Sequence, residues 1–183
     1  MELYTDTYYI QRIQAGDTAC FACLLDKYSR PVHSLILKVV RNREDAEELA
    51  QDVFMKVFKH LSSFKGECSF STWIYRIATN ETLNWLHKQK VRSMLGFESL
   101  DSTMADKVDD DPYFNGNEAQ RLLFKAITRL PQKQKAVFTM RYFDELSYEE
   151  ISEILGTSVG ALKASYHFAA EKIRSEIESG IKP

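Results

Sequence analysis

Apolar residues recur at intervals of three and four along most of this chain, and that spacing predicts helices rather than strands. The pattern predicts a helix over residues 17–28 capped by Asp17, and a second helix that Pro31 opens. Further helices are predicted over residues 45–60 and 69–90, and helical periodicity returns from Glu118 onwards. Glycine and proline are scarce, with 7 and 4 copies, which argues against a turn-rich β protein.

The helical pattern fails over residues 96–117, which are rich in aspartate and carry Lys107 as their one basic residue. Such a stretch is typical of a solvated linker rather than a packed element. The sequence therefore predicts an all-α fold of two small helical domains, residues 1–95 and 118–183, joined by an acidic flexible linker.

The composition of the chain argues against a membrane protein and against a secreted protein. The 183 residues are 44% hydrophobic, enough for packed cores, and no apolar run approaches the roughly 18 residues of a membrane helix. The first residues lack the pattern of a signal peptide, and three cysteines suit a reducing compartment, so we expect a cytoplasmic protein. The net charge of -2 gives no average indication of nucleic-acid binding, so any basic surface must be local.

Residues 146–163 carry a helix-turn-helix pattern. Ser147 and Glu150 form a capping box, Gly156 ends that helix, and Thr157 or Ser158 caps the next one. The second helix of such a motif enters the major groove of DNA, although a plain helical hairpin has the same spacing. Outward positions include Ser165, Phe168 and Glu171, and the candidate duplex contacts are Ser158, Gly160, Ala161, Lys163, Ala164, His167, Lys172 and Arg174. So few bases predict weak DNA binding by this segment alone.

Amides and bases share one face of the predicted helix over residues 69–90. Arg76, Asn80, Asn84, His87 and Lys88 are spaced three or four apart, and amide and guanidinium groups suit base edges. The nearby aromatic residues suit unstacked bases, but Trp73 and Trp85 lie on an apolar stripe and are better explained as core residues.

Other candidate sites are weaker. Cys20 and Cys23 form a CxxC pair near an apolar helix face, which favours core thiols over a redox or metal site because no second ligand pair is evident. No phosphate-binding glycine loop, metalloprotease motif or nucleophile–base arrangement is present in the sequence. We therefore expect no catalytic residue, no cofactor, no metal and no enzyme activity.

The order of these segments resembles the bacterial RNA polymerase sigma factors of the extracytoplasmic-function (ECF) class of the sigma-70 family. The resemblance extends over about residues 16–177. The matching strings are FACLLDKY at 21–28, DAEELAQDVF at 45–54, FSTWIYRIA at 70–78, LP through RYF at 130–143, and LSYEEI at 146–151. Each string is weak alone, but five in this order form a specific signal.

The resemblance implies that the first domain is sigma region 2 and the second is sigma region 4. The helix over residues 45–58 would dock on the clamp coiled coil of core RNA polymerase, with Gln51 and Asp52 matching the family's polymerase-contacting pair. The candidate contacts on this helix are Asp45, Glu48, Gln51, Asp52 and Lys56. The following loop and helix would read and open the promoter −10 element, through Lys65, Phe70, Thr72, Arg76, Asn80, Asn84, Lys88, Lys90 and Arg92. The helix-turn-helix would read the duplex −35 element while touching the polymerase flap.

The resemblance also implies that the acidic linker threads through a positively charged channel of polymerase, and that an anti-sigma factor restrains the protein. We expect no stable homo-oligomer. A stand-alone helix-turn-helix regulator remains the alternative, and it predicts a dimer on a palindromic site rather than a monomer on a two-part promoter. A helical enzyme is a third possibility that lacks a candidate site.

Overall fold

The computed structural model describes residues 4–94 and 118–180, and every regular element in these ranges is helical, which confirms the predicted all-α class. The predicted linker at residues 96–117 lies outside the described residues. The helices are α1 (Asp6–Gln14), α2 (Phe21–Val40), α3 (Arg43–His60), α4 (Phe70–Met94), α5 (Glu118–Thr128), α6 (Gln132–Tyr142), α7 (Tyr148–Leu155) and α8 (Val159–Gly180), with short 3₁₀ turns at Thr18–Cys20 and Leu61–Ser63. None of the described helices is long and apolar enough to cross a membrane.

Helices α1–α4, here called the N-terminal bundle, pack around an aliphatic core. Val32 and Ile36 of α2, Val53 of α3 and Ile74 of α4 are fully buried at 0% exposure. Burial of each such side chain stabilises the fold by about 1.5–3 kcal/mol. Asn42 caps α3, because its side chain accepts a hydrogen bond from the backbone N–H of Asp45 at 3.1 Å.

Two local predictions in the N-terminal bundle are wrong, and one helix was not predicted. Pro31 lies inside a continuous α2 instead of opening a new helix, because the buried stripe on either side of it outweighs one lost hydrogen bond. Asp17 does not cap a helix with its side chain, because its carboxylate accepts a 2.6 Å hydrogen bond from Arg12. Helix α1, capped by Thr5 and anchored by the buried Ile10, was not predicted.

Helices α5–α8, here called the C-terminal bundle, form the predicted helix-turn-helix. The capping box of Ser147 and Glu150 is present at the start of α7, and Gly156 ends that helix with a left-handed φ of 62°. The hydrogen bonds from Ser147 lower the pKa of the Glu150 carboxyl below its usual value, as expected for a carboxylate that accepts from a helix cap. The ring of Phe138 stacks on that of Tyr166 with centroids 5.4 Å apart, which joins α6 to α8.

The two bundles share one apolar core. Val137 and Met140 of α6 and Ile151 and Ile154 of α7 belong to the same buried cluster as the core of the N-terminal bundle. Helices α2 and α4 both contact α6, and α4 also contacts α7. The C-terminal bundle has a second core of its own between α5, α6 and α8. This mutual packing was not predicted, since periodicity does not say which apolar face meets which.

Candidate protein and nucleic-acid interfaces

An apolar groove of about 940 Å³ runs along the surface between α2 and α3. Met55 is 71% exposed, Phe58 46% and Leu25 39%. The ring of Phe58 contacts Phe21 edge to face, with centroids 5.0 Å apart. The groove is lined by Phe21, Leu25, Ser29, Arg30, His33, Glu47, Ala50, Gln51, Phe54, Met55 and Phe58. Exposed apolar side chains gathered in one groove with polar residues among them suit a protein partner.

The predicted polymerase-binding residues occupy different places around this groove. Gln51 lines it together with the acidic Glu47. Glu48 and Asp52 are exposed on the same helix, outside the residues that line the groove. Lys56 is also exposed but pairs with Glu81 of α4, with Nζ and Oε2 2.5 Å apart. Asp45 is half-buried in the first turn of α3, where the positive end of the helix dipole stabilises its carboxylate.

Helix α1 supports the loop between α3 and α4. The side-chain amide of Gln14 donates to the backbone carbonyls of Leu61 and Phe64, both at 3.0 Å. An open cavity of about 450 Å³ separates α1 from this loop and has Lys65 on its wall. Sequence reasoning missed Gln14, and the signal that could have found it is the Thr5 cap followed by the apolar pair of Ile10 and Ile13.

Two of the predicted −10 contacts lie in the interior. Phe70 is 4% exposed and contacts the ring of Tyr28, with centroids 5.2 Å apart. Thr72 is 8% exposed, and its hydroxyl accepts a 2.8 Å hydrogen bond from Ser69. Both residues therefore shape the start of α4 in this structure rather than present themselves to a ligand.

The remaining predicted contacts of α4 form an exposed polar face. Asn80, Asn84, Lys88 and Arg92 are all exposed, and the side chain of Lys90 lies outside the described residues. Arg76 is exposed as well, but its guanidinium donates to the backbone carbonyl of Glu153 in α7 at 2.6 Å. Trp73 and Trp85 are partly buried against the core, which confirms their assignment as packing residues.

Helix α8 presents most of its predicted contacts to solvent. Gly160, Ala161, Lys163, Ala164, His167, Lys172 and Arg174 are exposed. Ser158 acts as a helix cap, because its hydroxyl accepts from the backbone N–H of Ala161 at 3.4 Å. Phe168, which was not among the candidate contacts, is 57% exposed on the same helix.

The cysteines form neither a core pair nor an evident metal site. Cys20 is half-buried and Cys23 is exposed, so the expectation of two core thiols is wrong for Cys23. Burial raises the pKa of the Cys20 thiol, and the Asp17 carboxylate adds to that effect. A raised thiol pKa disfavours the reactive thiolate. Across residues 4–94 and 118–180, no group of three or more potential metal ligands comes together.

Known proteins match both halves of the chain. Residues 24–92 match the family described as Sigma-70 region 2, and residues 120–173 match Sigma-70, region 4. SigW, an ECF RNA polymerase sigma factor of Bacillus subtilis (strain 168), is 32% identical, covering 92% of this chain and 94% of its own. The ECF RNA polymerase sigma-E factor of Escherichia coli (strain K12) is also 32% identical, covering 99% of this chain and 98% of its own.

Two solved structures have a similar fold. CnrH in complex with the cytosolic domain of CnrY superposes with a TM-score of 0.67 at 16% identity, over 95% of this chain and 97% of that one. RpoE in complex with the anti-sigma factor NepR from Bartonella quintana gives 0.64 at 19% identity, over 86% and 96%. At these identities the likeness concerns the fold.

Proposed function

Because this chain belongs to the ECF class of RNA polymerase sigma factors, we propose that the apolar groove between α2 and α3 is its docking site for core RNA polymerase. Sigma factors of this class direct polymerase to promoters, so each must carry one surface for the enzyme and others for DNA. The observation that carries the proposal is the exposed apolar floor of the groove, formed by Met55, Phe58 and Leu25.

The shape and chemistry of the groove suit a helical partner. Two antiparallel neighbouring helices leave an elongated trough into which an amphipathic helix can place its apolar side chains. Gln51 on the groove wall, together with the exposed Glu48 and Asp52, supplies polar contacts at its edge. The clamp coiled coil of polymerase is the partner implied by the resemblance, and the groove lining of Arg30, His33 and Glu47 offers that partner polar contacts of both charges.

Substitution of the rim and the floor separately tests this site. Paired Gln51→Ala and Asp52→Ala changes remove the polar contacts, and Met55→Glu places a charge on the floor without disturbing the core, because Met55 points to solvent. Each variant should lose most copurification with core polymerase and most run-off transcription, while its thermal unfolding stays unchanged. Glu178→Ala on the exposed end of α8 is the control. Wild-type copurification by both groove variants would refute the docking site.

For the −10 element, we propose that the loop after α3 and the exposed face of α4 hold the opened strand. Asn80 and Asn84 offer amide donors and acceptors to base edges, while Lys88 and Arg92 offer positive charge to phosphates. Polymerase binding makes these weak contacts effectively intramolecular. The free chain should therefore show little DNA binding in a gel shift at physiological salt, whereas the holoenzyme binds specific promoters.

For the −35 element, we propose that α8 enters the major groove of duplex DNA while α7 crosses the DNA backbone, as in other helix-turn-helix proteins.

We also propose that an anti-sigma factor restrains this protein by covering the α2–α3 groove. The support for this proposal is the exposed apolar floor of that groove and the fold shared with RpoE of Bartonella quintana, whose structure contains the anti-sigma factor NepR. The proposed activity needs no catalytic residue of this chain.

A further inference from the structure

The outer face of α8 carries apolar side chains where a DNA-reading helix commonly carries arginine. Phe168 is 57% exposed, and the exposed Ala161 and Ala164 precede it at spacings of three and four residues. These three side chains therefore lie along one face of the helix. The buried Leu162 and Ala169 lie about 100° around the helix from Ala161 and Phe168, so the core is contacted by a different face from the one that carries Phe168.

No guanidinium is present at the end of α8 that would reach base edges. Residues 158–168 contain Lys163 and His167 as their only basic or titratable cations. The Lys163 ammonium lies 5.8 Å from the centre of the Tyr148 ring, so it leans back towards α7. Arg174 is 15 residues after Val159, about 22 Å along the helix axis, and it pairs with Glu171 at 3.4 Å. Bidentate recognition of guanine by arginine is therefore not available to the first turns of α8.

An exposed phenyl ring on such a helix has one apolar target in the major groove. The C5 methyl of thymine is the only apolar group that base pairs present there. Gly160 adds room for close approach, since a Cβ at that position would meet nothing within 4 Å. On these grounds, and resting on the proposed role of α8 at the −35 element, we propose that Phe168 reads thymine methyl groups with the help of Ala161 and Ala164.

The proposal predicts the composition of the −35 element. Promoters selected by the holoenzyme should contain at least one conserved A·T pair whose thymine methyl faces Phe168, rather than depend on guanine alone. Removal of that methyl group exposes part of the phenyl ring to water again. The loss expected from one unburied methyl group is about fourfold in promoter affinity.

Replacement of thymine by uracil removes the methyl group and leaves the base pairing intact. Holoenzyme reconstituted from core polymerase and the full chain first selects promoters from fragments of the source genome, and the −35 element of one promoter is then synthesised with uracil. Affinity should fall about fourfold for uracil at the contacted position, and it should stay unchanged for uracil in the spacer. Phe168→Ala should bind thymine and uracil promoters equally, and Phe168→Leu should keep part of the discrimination.

Tyr142→Ala is the matched control, because Tyr142 is another exposed aromatic residue, at 51%, but lies on α6. It should keep the full preference for thymine. Equal affinity of the wild-type holoenzyme for both promoters, or an undiminished preference in Phe168→Ala, overturns this inference. So does a Phe168→Ala variant that loses polymerase or anti-sigma binding without any change in methyl dependence. Failure of the holoenzyme to initiate at any genomic fragment refutes instead the proposed function on which it rests.

Discussion

Lys38 and Asp144 form an ion pair that ties the N-terminal bundle to the C-terminal bundle, with Nζ and Oδ1 2.5 Å apart. The side chains are only 22% and 13% exposed, and they are separated by 106 residues in sequence. The hydrogen bond from Arg76 to Glu153 joins the bundles at a second point. The structure is thus a closed arrangement in which a candidate −10 residue is engaged by the helix-turn-helix.

This closed arrangement cannot contact both promoter elements at once. Elements centred near −10 and −35 are about 25 base pairs apart, or about 85 Å of duplex at 3.4 Å per pair. A compact chain of this length has a radius of gyration of about 16 Å. The bundles must therefore separate when both elements are bound, and the contacts between them oppose that separation.

Loss of Lys38 should weaken the closed form. Lys38→Met leaves the Asp144 carboxylate in a mostly buried place without its cation, which should cost about 1–3 kcal/mol of unfolding free energy in urea and enlarge the radius of gyration in small-angle scattering. Arg43→Ala, which removes the exposed pair with Glu47, should change stability by less than about 0.5 kcal/mol. An unchanged radius and stability for Lys38→Met would show that the pair does not hold the bundles together.

The closed form should also depend on pH through Asp144. Burial raises the pKa of this carboxyl above its ordinary value of 3.8, and the opposing effect of Lys38 is smaller. Because the pKa of Asp144 is higher in the folded state than in the unfolded state, the protonated carboxyl favours folding. This contribution to stability is full below pH 3.8 and is lost as the pH rises through the folded-state pKa. As the pH rises above 3.8, the unfolding free energy of the wild type should therefore fall relative to that of Asp144→Asn. A relative gain by the wild type over that range would contradict the sign of the shift.

Gln14 should matter for promoter opening but not for polymerase binding. Gln14→Leu removes both hydrogen bonds to the carbonyls of Leu61 and Phe64, at a cost of about 1 kcal/mol each, so the loop should be held less firmly. The two bonds together correspond to roughly a 30-fold loss of opened −10 DNA, measured by permanganate reactivity with the holoenzyme. Glu178→Ala, an exposed change on α8 that does not touch the cavity beside this loop, is the control. Reduced copurification with polymerase in Gln14→Leu would point instead to general damage.

Two glycines of the helix-turn-helix should respond to alanine in opposite directions. Gly156 has a φ of 62°, so Gly156→Ala should destabilise the chain by about 1–2 kcal/mol through backbone strain, since its Cβ would meet nothing within 4 Å. Gly160 lies inside α8 with equally open space, so Gly160→Ala should stabilise by about 0.5–1 kcal/mol. Thermal and urea unfolding measure the change in unfolding free energy of each variant. A change in the same direction for both variants would refute the conformational argument.

The sequence by itself determined the local features of this protein. Three- and four-residue periodicity predicted the all-helical class, and the Ser147–Glu150 capping box and Gly156 predicted the helix-turn-helix, because caps and turns are decided by residues close together in the chain. The order of five short strings along the chain also indicated the sigma-factor family, which matches in both halves.

Only the tertiary structure decided which apolar faces are covered and by what. Phe58 is on the apolar side of α3 but stays 46% exposed, although the ring of Phe21 from α2 meets it edge to face. Phe70, predicted as a DNA contact, is buried because α2 supplies Tyr28 against it. The meeting of Lys38 with Asp144 depends on the packing of α2 against α6. Periodicity shows that a face is apolar, but it does not show which distant segment will cover that face. Bringing such a segment close costs chain entropy, and the apolar burial of the whole fold offsets that cost.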